Sequence, residues 1–280
     1  MLFRSGRFYY PRRGFGQITE AYADAARALG AELLLGWRVT GVERTGTGTP
    51  ARWAVTAERA GAQRTLAADY LWSTVPITLL ARMMRSPAPP PEVLDAAGRI
   101  DYRAMLLVYL ELDVDRFTEF DAHYFPAADI AITRLSEPKN YSAATEPRGR
   151  TTLCAELPCS PEDEHWNMDD DALGRLVARD LERAGIPLPR PPVAVHVRRL
   201  RHAYPIYRSG YEEPFRALDR WVESLPGLLT FGRQGLFAHD NTHHALAMAY
   251  RAADCLVDGR WDADAWSGHR RAFVTHVVED

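Results

Sequence analysis

Between Leu228 and Leu256 the sequence runs through a mostly apolar Leu-Leu-Thr-Phe tetrad, two close glycines, a polar capping residue and an alanine-rich stretch. That order reads as a short strand over Leu228–Phe231, a loop over Gly232-Arg233-Gln234-Gly235, and a helix over Thr242–Leu256 with Asn241 as N-cap. Its apolar positions Leu246, Ala249, Ala253 and Val257 recur at helical spacing. A strand that ends on glycine and feeds a helix leaves the first helical N–H groups without partners inside the helix. Glycine permits positive φ and close backbone approach of a ligand. The helix start carries about half a positive charge and favours a phosphate or another developing anion. Arg233 adds a fixed cation able to make bidentate contact. The same residues also fit a plain tight turn into an ordinary packed helix.

The rest of the chain organises around this unit. Gln17–Leu29 reads as an alanine-rich helix stopped by Gly30, followed by strands over Ala31–Leu35 and Arg38–Glu43. A turn at Gly46–Pro50, a strand over Arg52–Glu58 and a turn at Gly61 form a hairpin, and Asp69–Thr74 is a further short strand. Ser86–Pro91 is a proline-rich linker and the first candidate domain boundary. Beyond it come continuous apolar strands at Ala104–Leu112, Ile130–Leu135 and Thr151–Leu157, and an amphipathic helix over Asp169–Ala184. Pro187–Pro192 breaks the chain before a strand at Val193–Leu200, and Trp261–Val277 reads as a final helix. The expected fold is a mixed α/β (α+β) one.

Charge and cysteine content narrow the function classes. Lys+Arg 34 against Asp+Glu 37 gives a net charge of −3, so no global field draws the chain to nucleic acid or an anionic membrane. The positive charge is almost all arginine, with one lysine, Lys139. Three cysteines, Cys154, Cys159 and Cys255, lack regular spacing and point to a reducing, cytoplasmic compartment. No run has the ~18–20 apolar residues of a membrane helix. There is no G-x-S-x-G, H-E-x-x-H or paired-cysteine signature, so hydrolase and zinc-enzyme readings lack support. His239 and His243 stand four apart, but the Asn241 cap puts His239 in the loop, and no metal site is expected. Phe8–Gly16 carries aromatics, a proline and two arginines into a Gly-Phe-Gly helix start. Tyr204 and Tyr207 flank Pro205 and fit either a ligand wall or a core with satisfied hydroxyls.

Taken together, these segments resemble FAD-dependent oxidoreductases of the amine oxidase and protoporphyrinogen oxidase type. Phe8-Tyr9-Tyr10-Pro11-Arg12-Arg13-Gly14-Phe15-Gly16 is similar to the subgroup around UDP-galactopyranose mutase. Asp69-Tyr70-Leu71-Trp72-Ser73-Thr74-Val75-Pro76 resembles the family's D-x-V-x-S-x-x-P strand. His202–Tyr207 with Gly210-Tyr211-Glu212 resembles its A-Y-P-V-Y … G-Y-E stretch, and Gly232–Ala245 its G-R-x-G … N-N-x-D-H-S motif. His243 stands where that motif has aspartate, and Asp240 where it has its first asparagine.

The resemblance implies an FAD-binding domain over 1–85 and 226–280, partial because no G-x-G-x-x-G occurs, with a mixed-sheet substrate domain inserted over 86–225. It implies FAD as cofactor, contacted by Val39, Thr74, Gly232, Arg233, Asn241, Thr242, His243 and Ala245, with Tyr204 and Tyr207 on the substrate side. It implies hydride transfer from a small-molecule substrate to flavin by the C-terminal portion of a longer oxidoreductase, and weak FAD retention by this chain alone. No general base is distinguished. A mutase-like isomerase on a sugar nucleotide and a non-catalytic remnant without FAD are the alternatives.

Overall fold

A computed structural model describes residues 9–46, 52–142, 146–276 and 278. In chain order the elements begin α1 (Gly16–Ala28), β1 (Arg38–Arg44), β2 (Trp53–Arg59), β3 (Ala62–Ala68), β4 (Leu71–Ser73), α2 (Ile77–Met83), β5 (Met84–Ser86) and α3 (Pro91–Gly98). There follow β6 (Asp101–Leu112), β7 (Ala122–Tyr124), β8 (Arg134–Ser136), β9 (Thr151–Cys159), α4 (Glu164–Asn167), α5 (Asp170–Arg183) and β10 (Ala194–Ile206). The chain ends in α6 (Glu212–Glu223), β11 (Leu228–Thr230), α7 (Gly232–Gly235), α8 (Thr242–Asp254), β12 (Leu256–Val257), β13 (Arg260–Trp261) and α9 (Ala263–Phe273).

The chain divides into two compact units, one holding the residues up to Leu34 and Ala104–Arg201, the other Leu35–Arg103 and His202–Asp280. The boundaries expected near residues 86 and 225 both fall inside the second unit, and the proline-rich stretch leads into α3 with Pro91 at its first turn.

In the first unit, β6 and β9 pair antiparallel from Ala104↔Cys159 to Leu112↔Thr151. One face buries Leu106, Val108 and Leu110 with Leu153, Ala155 and Leu157. Leu173, Leu176, Val177 and Leu181 of α5 complete this core, as their helical spacing requires. Asp169 caps α5 through the Ala172 N–H at 2.6 Å. A Cβ on Gly174 would stand 2.7 Å from Val195 Cγ2, so glycine lets the helix lie close to that neighbour. The strand expected over Ile130–Leu135 shrinks to Arg134–Ser136. The buried Asp180 carboxylate takes the Ala131 and Ile132 N–H groups at 2.8 and 3.3 Å, removing them from any ladder.

A loop knot beside this sheet is held by two charged side chains. Glu137, 3 % exposed, accepts from the Phe117 and Thr118 N–H groups, Thr151 Oγ1 and Asn140 Nδ2 at 2.6–3.1 Å. Lys139, its side chain 6 % exposed, donates to the carbonyls of Asp115, Pro147 and Arg150 and to Asp115 Oδ1 at 2.7–3.1 Å. The Lys139 ammonium, then the Gly149 N–H, holds the Asp115 carboxyl below its ordinary range. A carboxyl depressed by folding contributes stability above its unfolded value and loses it as pH falls.

In the second unit, a sheet ordered β3-β2-β1-β5 packs Val42 and Trp53 against Ile77, Leu80 and Ala81 of α2 and Leu218 and Val222 of α6. The strand expected over Ala31–Leu35 does not form: residues 31–34 are irregular, and Gly30 and Gly36 on either side adopt φ +91° and +77°. The expected turn over Gly46–Pro50 lies outside the described residues from 47 onward, as do Phe8 and the end of the expected final helix at Val277. A separate core of Leu229, Phe231, Leu236, Met248, Ala252, Trp266 and Phe273 joins β11 to α8 and α9.

Candidate functional site

Strands β4 and β11 run parallel, with Leu71 opposite Leu228 and Ser73 opposite Thr230. Parallel strands end together, and the crevice beyond their carboxyl ends is where open α/β sheets take ligands. Here those ends are Ser73-Thr74 and Phe231-Gly232, tied by the Phe231 N–H to Ser73 O at 3.2 Å. Gly232 takes φ +78°, and a Cβ there would meet the Thr74 methyl at 3.9 Å. Two predicted site residues, Thr74 and Gly232, are thereby neighbours. The expected loop over Gly232–Gly235 is instead one helical turn, because the Leu236 N–H folds back onto Gly232 O at 3.0 Å.

Helix α8 starts beside this turn. Met248 lies in its core side and accepts the Gly232 N–H on sulfur at 3.1 Å. Asn241 caps the helix with extended backbone, φ −85° and ψ 170°. Its N–H donates to His244 Nδ1 at 3.1 Å and its side chain faces the His244 N–H, closing a capping box. Burial, then the adjacent His243, lowers the His244 pKa, which suits an imidazole acting as acceptor. The Ala245 N–H donates to Asn241 O at 3.2 Å. Thr242 and His243 occupy the first two helical positions on the exposed side, where backbone N–H groups find no acceptor within a helix.

Arg233 turns inward. Its Nε donates to Asp240 O at 2.7 Å, and its guanidinium carbon lies 4.9 Å from the centre of the Tyr204 ring. Tyr204 also faces His239 at 5.1 Å between centroids. Tyr207 donates its hydroxyl to Phe237 O at 3.2 Å and packs on Tyr211 at 4.6 Å, and burial raises its phenol pKa. The two tyrosines therefore stand beside the glycine turn. Val39 is placed elsewhere, on β1 opposite Ala57, next to a bulge at Thr40.

Sequence reasoning missed several residues. Gln234 donates to His202 O and Ala203 O at 2.6 and 3.2 Å, while its Oε1 is buried without a partner. Tyr102 donates to Gln234 O at 3.1 Å from 132 positions away. Asp240, His244 and His276 converge, one ligand atom of each lying within 4.8 Å of the others. Only the first two of these were visible as neighbours; His276 follows α9 and gives no spacing signal.

The donor set suits a flavin edge. Thr242 and His243 offer N–H donors for a carbonyl or developing anion, and the buried, unpartnered Asp240 Oδ2 calls for a donor such as a hydroxyl.

Comparison with known proteins bears on these segments. The profile of the family described as "Flavin containing amine oxidoreductase" matches residues 2–257. Among solved structures, reduced UDP-galactopyranose mutase aligns with TM-score 0.74 and 19 % identity, over 95 % of this chain and 55 % of that one. A putative protoporphyrinogen oxidase from Exiguobacterium sp. 255-15 aligns with TM-score 0.57 and 20 % identity, over 78 % of this chain and 47 % of that one. A putrescine oxidase variant redesigned in cofactor binding gives TM-score 0.54 and 16 % identity, over 78 % and 46 %. The chain thus spans about half the length of the structures it matches. No curated protein matches. With 2–257 of its 280 residues matched, the chain belongs to the flavin-containing amine oxidoreductase family.

Proposed function

We propose that this chain forms the flavin-facing part of an FAD-dependent oxidoreductase acting on a small organic substrate. The observation that supports this is the open start of α8, set at the carboxyl ends of the parallel strands β4 and β11 in a flavin-containing family. When bound, FAD supplies the acceptor for a hydride and the store for two electrons. The chain's residues supply binding and orientation. The N–H groups of Thr242 and His243 would meet negative charge on the bound flavin, which a preorganised helix start stabilises without reorganising. Gly232 allows backbone approach, and Thr74 lines the facing strand end. Arg233 holds the loop before α8 through Asp240 O and carries positive charge beside Tyr204. Tyr204 and Tyr207 form the proposed substrate wall.

Thr242→Pro tests the reading. Thr242 is the first helical residue, where proline fits, and the extended Asn241 backbone accepts a following proline. The substitution removes one N–H and leaves the helix. Loss of one hydrogen bond to a charged group is worth about 1.5–3 kcal/mol, so FAD affinity should fall at least about tenfold by fluorescence titration. Thr242→Ala should bind like the parent. A chain with no saturable FAD binding, or equal affinity in Thr242→Pro and the parent, would sink the proposal.

A further inference from the structure

We propose that Asp240, His244 and His276 bind a divalent transition-metal ion, with Zn²⁺ the best match to the donor set. Asp240 is 5 % exposed, and its Oδ2 is buried with no hydrogen-bond partner. A buried carboxylate needs compensation. Arg233 does not give it, since its Nε–H goes to the Asp240 backbone carbonyl. Instead two imidazoles face the carboxylate: Asp240 Oδ1 lies 3.5 Å from His244 Nδ1 and 3.5 Å from His276 Nδ1. His276 Nδ1 is itself buried without a hydrogen bond.

A tetrahedral Zn²⁺ with bonds of about 2.0–2.1 Å places its ligand atoms about 3.3 Å apart. Two sides of the ligand triangle are already near that spacing. The third closes by rotation of one ring, because His244 and His276 now stack with centroids 4.5 Å apart and planes 17° apart. His276 can make that turn: it lies past α9, outside a helix, with its side chain 20 % exposed. On binding, His244 Nδ1 exchanges the Asn241 N–H for the ion, and a fourth position stays open to solvent or ligand. Two imidazoles and one carboxylate form a donor set that suits zinc.

The site does not need flavin, so its failure and the failure of the flavin reading are separable. The test is calorimetric titration of the chelator-stripped chain with ZnCl₂, with far-UV circular dichroism to confirm folding. One Zn²⁺ should bind per chain. Asp240→Asn and His276→Gln should each weaken binding at least tenfold, and His239→Gln should leave it unchanged. His276→Gln carries the test if Asp240→Asn does not fold. Absence of saturable binding, or binding that survives His276→Gln, overturns the proposal. Loss of binding in His239→Gln overturns it too, since that places the ion on the His239/His243 pair.

Discussion

Replacing Glu137 by leucine should destabilise the protein by about 4 kcal/mol: hydrogen bonds to a charged acceptor, worth about 1.5–3 kcal/mol each, are lost, offset in part by the desolvation cost of the buried carboxylate that leucine removes. The carboxylate is the hub on which residues 117, 118, 140 and 151 meet, and it is 3 % exposed. Leucine fills a similar volume but leaves two backbone N–H groups and a hydroxyl facing carbon, while Asn140 Nδ2 keeps the Thr118 and Phe120 carbonyls. Glu137→Gln keeps the shape and one acceptor while turning an NH₂ toward donors, so it should lose a large part of the same stability. Denaturant midpoints at constant m-value measure both changes. A loss below about 1 kcal/mol for leucine would show that water reaches these donors, contrary to the burial described here.

Gly235→Ala should have a smaller stability cost and a functional one. A Cβ at this position would stand 2.5 Å from Thr230 Oγ1 and 3.3 Å from the Ser73 carbonyl. Thr230 Oγ1 meanwhile donates to Gly235 O at 3.1 Å. One methyl thus wedges between the ends of β4 and β11, the ground on which the proposed flavin site rests. Overpacking of this kind costs about 1–3 kcal/mol, and FAD affinity should fall by more than tenfold. Removing the opposing hydroxyl relieves the closest contact, so Thr230→Ala combined with Gly235→Ala should recover at least about 1 kcal/mol in a double-mutant cycle. Additive losses would mean that the backbone shifts away without resistance. Gly232→Ala is the contrasting case: the space is open to 3.9 Å, and its penalty comes from φ +78° alone, about 1–2 kcal/mol.

Patterns with a clean period survived into three dimensions. The apolar run at Ala104–Leu112, the stripe of α5 and the Asn241 cap each depend on local spacing, and each is present. The misses have nonlocal causes. β3 has the composition Ala-Gln-Arg-Thr-Leu-Ala-Ala, with no alternation, and exists because seven residues pair in register with β2. Helix α6 has Pro214, Leu218 and Val222 every four residues on its buried face, but this short stripe is diluted by the charged residues of the rest of the helix. Within the candidate site, the Asn241 cap and the break at Gly232 and Gly235 were readable, though not the helical turn between those glycines. Gln234, Tyr102 and His276 were not, since their partners lie in other elements.

The knot around Lys139 has a chemical consequence. It is the only lysine among 280 residues, and its ammonium sits among four acceptors in a nearly closed pocket. Acylating reagents need an accessible amine with a free lone pair, and this one is enclosed and spent on hydrogen bonds in the folded state. The chain's surface is therefore inert toward ε-amine tagging, crosslinking and isopeptide attachment while the fold holds. Modification at residue 139 becomes a clock for opening of this loop region, read in the single peptide that carries an ε-amine.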